Sequence, residues 1–339
     1  MQIEHDMVSA TMIEEASQGM SCPVCGGVEI AEAFRVQQLY LNGERFSVLR
    51  CSVCGLGRTV PPVPSSEIHR WYPATYYGEK NFRFRWFLEV LVRFSARRRA
   101  KIVGRNSAPG PVLDVGCGAG ITLSELRSMG YEPHGVELNE TAAWHAKHRL
   151  GIKVHVGDFL TAPYAEGQFT AIIFWHSLEH LDRPVEAIRH AHRLLKPGGI
   201  LVVAVPNSES FQARWFGPHW FHLDIPRHYF HFGMANLGSL LTATGFRVVE
   251  TSHLSLEQSP YGWIQTMHNA MGFESNLLYS MLKHRTACTT PINRYRLQAL
   301  VSFAALPVLF PLAFLLTGIE TVCRRGGTID VCAIKPGLR

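Results

Sequence analysis

From residue 110 onward, short apolar runs alternate with segments whose apolar positions recur every three to four residues. The runs at 112–115, 133–137, 153–156, 170–175, 200–205, 246–254 and 328–334 read as strands. The segments at about 121–129, 140–150, 184–195 and 234–244 read as helices between most of them. That alternation predicts an α/β fold, a doubly wound, mostly parallel sheet covered on both faces. Upstream the pattern changes. Residues 1–20 carry acids and no apolar core run, which reads as a flexible lead-in and not as a signal peptide. Residues 21–60 form a small separate unit, and Pro61, Pro62 and Pro64 interrupt regular structure after it. Residues 61–109 are a linker and an aromatic, basic helix. The main domain takes 110–258 and 327–339, and 259–326 is an apolar helical insertion before the last strand.

The first strand of the main domain runs into DVGCGAG, with Asp114, Gly116, Cys117, Gly118 and Gly120 at a strand-to-helix turn. Glycine at alternate positions lets a backbone turn sharply and approach a ligand closely. A dinucleotide loop would space its glycines G-x-G-x-x-G, and a phosphate-gripping loop would supply a Lys followed by Ser or Thr. Neither is present. An acid ahead of the loop suits a ligand bearing positive charge. The second strand ends in VELN, where Glu137 is placed to accept two hydrogen bonds from a ribose diol, with Leu138 beside it. The third gives way to GDF, where Asp158 can accept from an adenine amino group and Phe159 can lie against the ring.

DVGCGAG, VELN, GDF and LLKPGG before ILVVAVPN, in that order, resemble the class I S-adenosylmethionine-dependent methyltransferases over about 110–255 plus a strand at 328–334. The resemblance implies a seven-stranded sheet whose last strand is antiparallel and inserts between the fifth and sixth. It implies S-adenosylmethionine as cosubstrate.

The fourth strand ends IIFWHSLEHL, which places His176, Glu179 and His180 at the carboxyl edge, where ligands bind in such sheets. The run is similar to one in quinone-pathway O-methyltransferases. In some of those relatives the Glu-His pair helps hold a divalent cation, with an upstream acid. Only Glu179 and His180 match, because His176 stands where that acid would be, so the resemblance does not by itself carry a cation to this site. FGPHWFHLDIPRHYFHF, at 216–232, gathers more histidines among aromatic residues and suits one wall of an acceptor pocket. The pool for a general base is His176, His180, His222 and His228.

Cys22, Cys25, Cys51 and Cys54 form CxxC, a gap of 25 residues, then CxxC, each pair followed by glycine. That spacing suits a closed, structural zinc site of four thiolates. Arg35, Arg45 and Arg50 between the pairs are balanced by Glu29, Glu32 and Glu44, a poor footprint for nucleic acid. Ribbons of this type also precede bacterial methyltransferase domains that modify sugars or glycolipids.

Residues 83–105 carry a net +7 of the chain's +6, so the remainder sums to −1 and the basicity is local. Between Arg296 and Glu320 no charged residue occurs, and Pro307 and Pro311 fall mid-way, which predicts two short halves forming a re-entrant or interfacial hairpin. The mixed basic and aromatic segment FRFRWFLEVLVRFSARRRAK suits a lid or a helix on an anionic membrane surface. The combined expectation is methyl transfer, most readily to oxygen, on a lipid-linked or apolar acceptor at the inner, cytoplasmic face of a membrane. A soluble sugar or nucleotide sugar is the alternative acceptor, and a zinc-ribbon nucleic-acid binder is the rival from another class.

Overall fold

The computed structural model describes residues 21–28, 30–37, 45–64, 67–72, 86–274, 277–282 and 295–337. The lead-in at 1–20, together with Arg83 and Arg85, lies outside the described residues.

The N-terminal unit is a three-stranded antiparallel meander, β1 (Ile30–Gln37), β2 (Arg45–Cys51) and β3 (Gly57–Val60). Helix α1 (Trp86–Asn106) follows. The main domain then runs β4 (Pro111–Val115), α2 (Ile121–Ser128), β5 (Glu132–Glu137), α3 (Glu140–His148), β6 (Lys153–Val156), β7 (Phe169–Trp175), α4 (Pro184–Leu194), β8 (Leu195–Pro206), α5 (Phe211–Phe216), β9 (Phe230–His231), α6 (Met234–Ala243) and β10 (Arg247–Ser252). After α7 (Ser259–Ala270), α8 (Leu277–Leu282) and α9 (Arg296–Val322), β11 (Thr328–Ile334) returns to the sheet.

The large sheet has the order β10-β11-β8-β7-β4-β5-β6. Its interior pairs are parallel, and β11 is antiparallel to both neighbours, Thr328 facing Pro206 and Ser252 facing Asp330. The period-two pattern divides each strand between two cores. Leu113, Ile172, Phe174, Leu201 and Val203 meet Ile188 and Leu194 of α4 and Leu237 and Leu241 of α6. Val112, Ala171, Ile173, Val202 and Ala204 meet Ala100 and Val103 of α1, Leu123 and Leu126 of α2, and Ala143 and Ala146 of α3. Strands apolar on both faces are what a sheet buried on both sides requires.

Three features depart from the sequence reading. The N-terminal unit does not end at residue 60. β9, from the histidine-rich loop, pairs antiparallel with β3, Gly57 facing His231 and Arg58 facing Phe230, so a strand of the main domain completes the small sheet.

The basic helix also does not present all its charge outward. Arg97, Arg98, Arg99 and Arg105 pair with Glu125, Asp330, Glu257 and Glu250 on the main domain, at 3.2, 2.7, 3.0 and 3.2 Å. Arginines held by carboxylates of the domain are not free for lipid.

Third, the apolar stretch is one continuous helix and not two halves. The two prolines remove only the N–H groups that would bond the carbonyls of Phe303 and Pro307. Ala299, Ser302, Ala313, Thr317 and Glu320 form a buried stripe at helical spacing, and α9 packs along α7. Contacts made above and below the prolines carry the helix through them.

Candidate active site

The carboxyl edge of the sheet collects the predicted residues. Gly116, Gly118 and Gly120 have φ of 78°, 54° and 78° between β4 and α2. A Cβ at Gly120 would stand 2.9 Å from the Cβ of Ala146, so helix packing as well as φ excludes larger residues there. Glu137 organises this loop. Its carboxylate accepts from the backbone N–H of Gly118 at 2.8 Å and of Asn139 at 2.9 Å, one to each oxygen. Each oxygen keeps a further lone pair for a hydroxyl donor. Burial pushes the Glu137 carboxyl up, and those two N–H groups counter it.

Asp114 is 5% exposed, and burial pushes its pKa up to about 7, with Arg99 pulling it back and Glu137 pushing it further. A cation bound here would favour its ionised form. Asp158 caps the turn at Leu160 N (3.0 Å) and pairs with Arg183 at 3.3 Å, leaving acceptor capacity in hand. The expectation for Phe159 does not hold. Phe159 is 2% exposed and packs edge-on against Phe174 and His190 in the core, so no face of it is open to a ring. Leu138, beside Glu137 and 64% exposed, does offer free apolar surface. Cys117 is buried, which raises its thiol pKa well above the usual value, and it lines the loop as a small apolar group.

A second constellation lies beyond β7. His176 follows the strand directly and takes φ of 52°, a left-handed conformation unusual for a residue with a side chain. Its backbone N–H is held by Ala204 O at 2.8 Å. Nδ1 of His176 stands 3.5 Å from Oε1 of Glu179, and its Nε2 has no hydrogen-bond partner. Glu179 is 1% exposed, and neither of its carboxylate oxygens has a hydrogen-bond partner. His180 and His228 pack with ring centroids 4.5 Å apart, and Nε2 of His228 lies 4.0 Å from Glu179.

The structure therefore brings together His176, His180 and His228 around Glu179. His222 is set apart. Its Nε2 faces α7, where a Cβ on Gly262 would lie 2.8 Å away. Burial pushes the pKa of His222 down to about 3, and that of His228 well below the ordinary histidine value. Imidazoles so reluctant to hold a proton are poor bases, which leaves His176 and His180. The Nδ1 of His180 is within 3.0 Å of both the Tyr72 hydroxyl and the carbonyl of Arg227, so His176 has the freer ring.

Sequence reasoning missed Tyr72 and Thr59 at this site. Thr59 donates to His228 O at 2.6 Å, and its Oγ1 lies 3.0 Å from Nε2 of His231. The contacts span 169 and 172 residues, and no local pattern encodes them. Beneath lies the cysteine cluster. Cys22 and Cys54 sulfurs are 3.5 Å apart, as are those of Cys25 and Cys51, and all four lie within 4.8 Å of one another. In each knuckle a glycine of positive φ folds back, Gly26 N to Cys22 O and Gly55 N to Cys51 O, both 2.8 Å. Four free thiols converging on one point are the donor set of a structural zinc.

Comparison with known proteins gives a consistent picture. Residues 85–251 match the family model described as a methyltransferase domain. The chain is 34% identical over 115 residues to the ubiquinone biosynthesis O-methyltransferase of Pseudomonas paraeruginosa, covering 32% of this chain and 47% of that protein. It is 27% identical over 178 residues to a probable S-adenosylmethionine-dependent methyltransferase of Mycolicibacterium smegmatis, covering 51% of this chain and 63% of that one. The chain thus spans about half to under two thirds of the length of these relatives. Among solved structures, a chain from the Haloferax volcanii complex of a methyltransferase with the Trm112 activator overlays with a TM-score of 0.50 at 15% identity, over 81% of this chain and 98% of that one. At that identity the likeness is one of fold.

Proposed function

Because this chain carries a class I S-adenosylmethionine-dependent methyltransferase domain, we propose that it methylates an oxygen of a lipid-linked or apolar acceptor, with His176 as the general base. The observation that carries the oxygen assignment is the His176–Glu179 pair at the carboxyl edge. A carboxylate beside Nδ1 orients the ring and leaves Nε2 to take a proton. As the new C–O bond forms in line with the breaking C–S bond, the hydroxyl proton passes to Nε2 of His176, and S-adenosylhomocysteine leaves. The loop at Gly116–Gly120 and the acids Asp114 and Glu137 hold the cosubstrate, and α1 closes over that edge. A zinc ion on the four cysteines would keep the ribbon folded against the histidine loop.

The apolar acceptor is suggested by α9. Its most apolar window has mean hydropathy 2.4 and is 17% buried. Leu297, Leu300, Val308, Phe310 and Leu315 all stand open to solvent, and Trp215, 62% exposed, packs against Trp263 of α7 with ring centroids 5.7 Å apart. A helix apolar on every side is covered by protein or by lipid. Because its buried stripe lies on α7, α9 would rest in the membrane surface alongside the domain, and the reading takes that surface to be the cytoplasmic face.

The test uses S-adenosylmethionine labelled on its methyl group, incubated with the protein and with lipid or aqueous extracts of the source cells. Label in the lipid fraction supports the reading. Label confined to the aqueous fraction replaces it with a soluble sugar or nucleotide sugar acceptor.

A further inference from the structure

A cavity of about 230 Å³ opens where the ribbon meets the main domain, and none of His176, Glu179, His180 or His228 lines it. The ribbon and linker contribute Arg58, Val63 and Pro64 to its walls, and the main domain contributes Asp182, Tyr229 and Phe230. Arg58 is half-buried, and among the described residues no carboxylate pairs with it. The arginines of α1 differ, since four of them each hold an acid of the main domain. The Arg58 guanidinium sits 5.8 Å from the centre of the Phe230 ring, which steadies its position. Burial acts against its charge, and Cys22 of the ribbon offsets this. Tyr229 is 5% exposed, and its hydroxyl has no hydrogen-bond partner. Burial, with Asp182 adding to it, pushes the Tyr229 pKa up to about 12, so the hydroxyl keeps its proton and is a donor. A buried donor and a half-buried cation without an acceptor are unfavourable until a ligand or water supplies one, and the guanidinium selects for an anion. Asp182 is the acid in the walls; it is 45% exposed and lies 3.7 Å from Nε of Arg183.

We propose that this cleft binds a phosphorylated polyol, with Arg58 and Tyr229 donating to the phosphate and Asp182 accepting from a neighbouring hydroxyl. A guanidinium matches a phosphate with two parallel N–H bonds, and a phenol hydroxyl adds another donor. Asp182 decides the class of ligand. A bare anion would meet its negative charge, whereas hydroxyls beside the phosphate give that carboxylate donors to accept from. The volume limits the size: it falls below the roughly 300–1,000 Å³ of sites that enclose drug-sized ligands, so one small head group fits. A free phosphorylated polyol and a phosphoglycerol lipid head group present the same chemistry. Held between β3, the linker and residues 182 and 229–230, the ligand would tie the ribbon to the main domain. The site does not depend on the methyl-transfer reading.

The experiment is calorimetric titration of the full-length protein with sn-glycerol 3-phosphate and, separately, with inorganic phosphate at the same ionic strength. The expected result is one saturable site per chain that prefers glycerol 3-phosphate. Arg58→Gln should weaken both ligands by about tenfold or more, and Tyr229→Phe by about threefold. Asp182→Asn should narrow the preference, because inorganic phosphate gains from the lost negative charge while glycerol 3-phosphate loses its acceptor. Circular dichroism and zinc content show that each variant is folded. Sedimentation with phosphatidylglycerol vesicles identifies the source of the ligand. Weakened sedimentation of Arg58→Gln assigns a lipid head group, and unchanged sedimentation beside weakened glycerol 3-phosphate binding assigns a free metabolite. No saturable binding, or affinities within about twofold of wild type in Arg58→Gln, would overturn the site. An Arg58→Gln protein that loses zinc yet binds both ligands as before would overturn it too, since Arg58 would then serve the thiolates. An unchanged preference in Asp182→Asn would overturn the polyol assignment. Transfer of labelled methyl by the same protein reports on the methyl-transfer reading separately.

Discussion

Replacing Glu137 with glutamine keeps the shape of the side chain and removes its charge. In the native loop each carboxylate oxygen takes one backbone N–H, from Gly118 and Asn139. A glutamine can accept only one of these, and its amide NH2 is brought against the other N–H. Two ribose hydroxyls donating to an ionised acceptor are worth about 1.5 kcal/mol each, and a neutral amide keeps about 1 kcal/mol of that sum. The net loss of about 2 kcal/mol weakens cosubstrate binding about 30-fold. The stranded N–H lies at the partly exposed rim of the loop, so the cost to folding is about 1 kcal/mol and lowers the melting temperature by about 2–4 °C. Titration calorimetry with S-adenosylmethionine reads the first number and thermal denaturation the second. An affinity within about twofold of wild type would refute the placement of the ribose at Glu137. Collapse of the melting transition would refute the division between binding and folding.

Three further outcomes follow from the same geometry. Asp114, with a native pKa of about 7 against 3.8 in the unfolded chain, holds a proton that the unfolded chain releases, so its contribution to stability is lost as pH rises from about 4 to about 7. Asp114→Asn should flatten that part of the apo-protein melting profile, and wild-type affinity for the cationic cosubstrate should increase as pH rises through about 7. Cys51→Ser, or stripping metal from the ribbon with a chelator, should expose both the 45–60 strands and the 216–232 loop to limited proteolysis, because β9 is held by β3. Cleavage confined to the ribbon would contradict that coupling. Changing Leu300, Phe310 and Leu315 together to serine should release the protein from sedimenting anionic vesicles without altering its far-UV circular dichroism. Undiminished co-sedimentation would mean α9 is not the contact.

The sheet was legible because its strands are apolar on both faces and its helices on one, two periods that survive in a single sequence. The edges matched closely, as at Thr328–Ile334 and Pro184–Leu194. The glycine loop and the cysteine pairs were legible for another reason, since positive φ and thiolate convergence demand particular residue types. What failed to show were the long-range contacts. Nothing local in GRTV announces that Thr59 will hold the backbone of His228, and the arginines of α1 read as free charge until their acids appear on α2, β10, β11 and the loop after β10. Phe159 was misplaced because an aromatic after an acid looks the same whether it faces a ligand or the core. The proline rule overreached in α9, where tertiary packing on both sides of the prolines carried the helix through.

The most direct test of the central claim is a single-turnover reaction with 13C-methyl S-adenosylmethionine and the acceptor fraction that takes label, comparing wild type with His176→Gln. The account predicts a methoxy carbon in the product, formation slowed by about 100-fold or more in the variant, and cosubstrate affinity unchanged. A methyl carbon on nitrogen, sulfur or carbon, or a variant as fast as wild type, would contradict it.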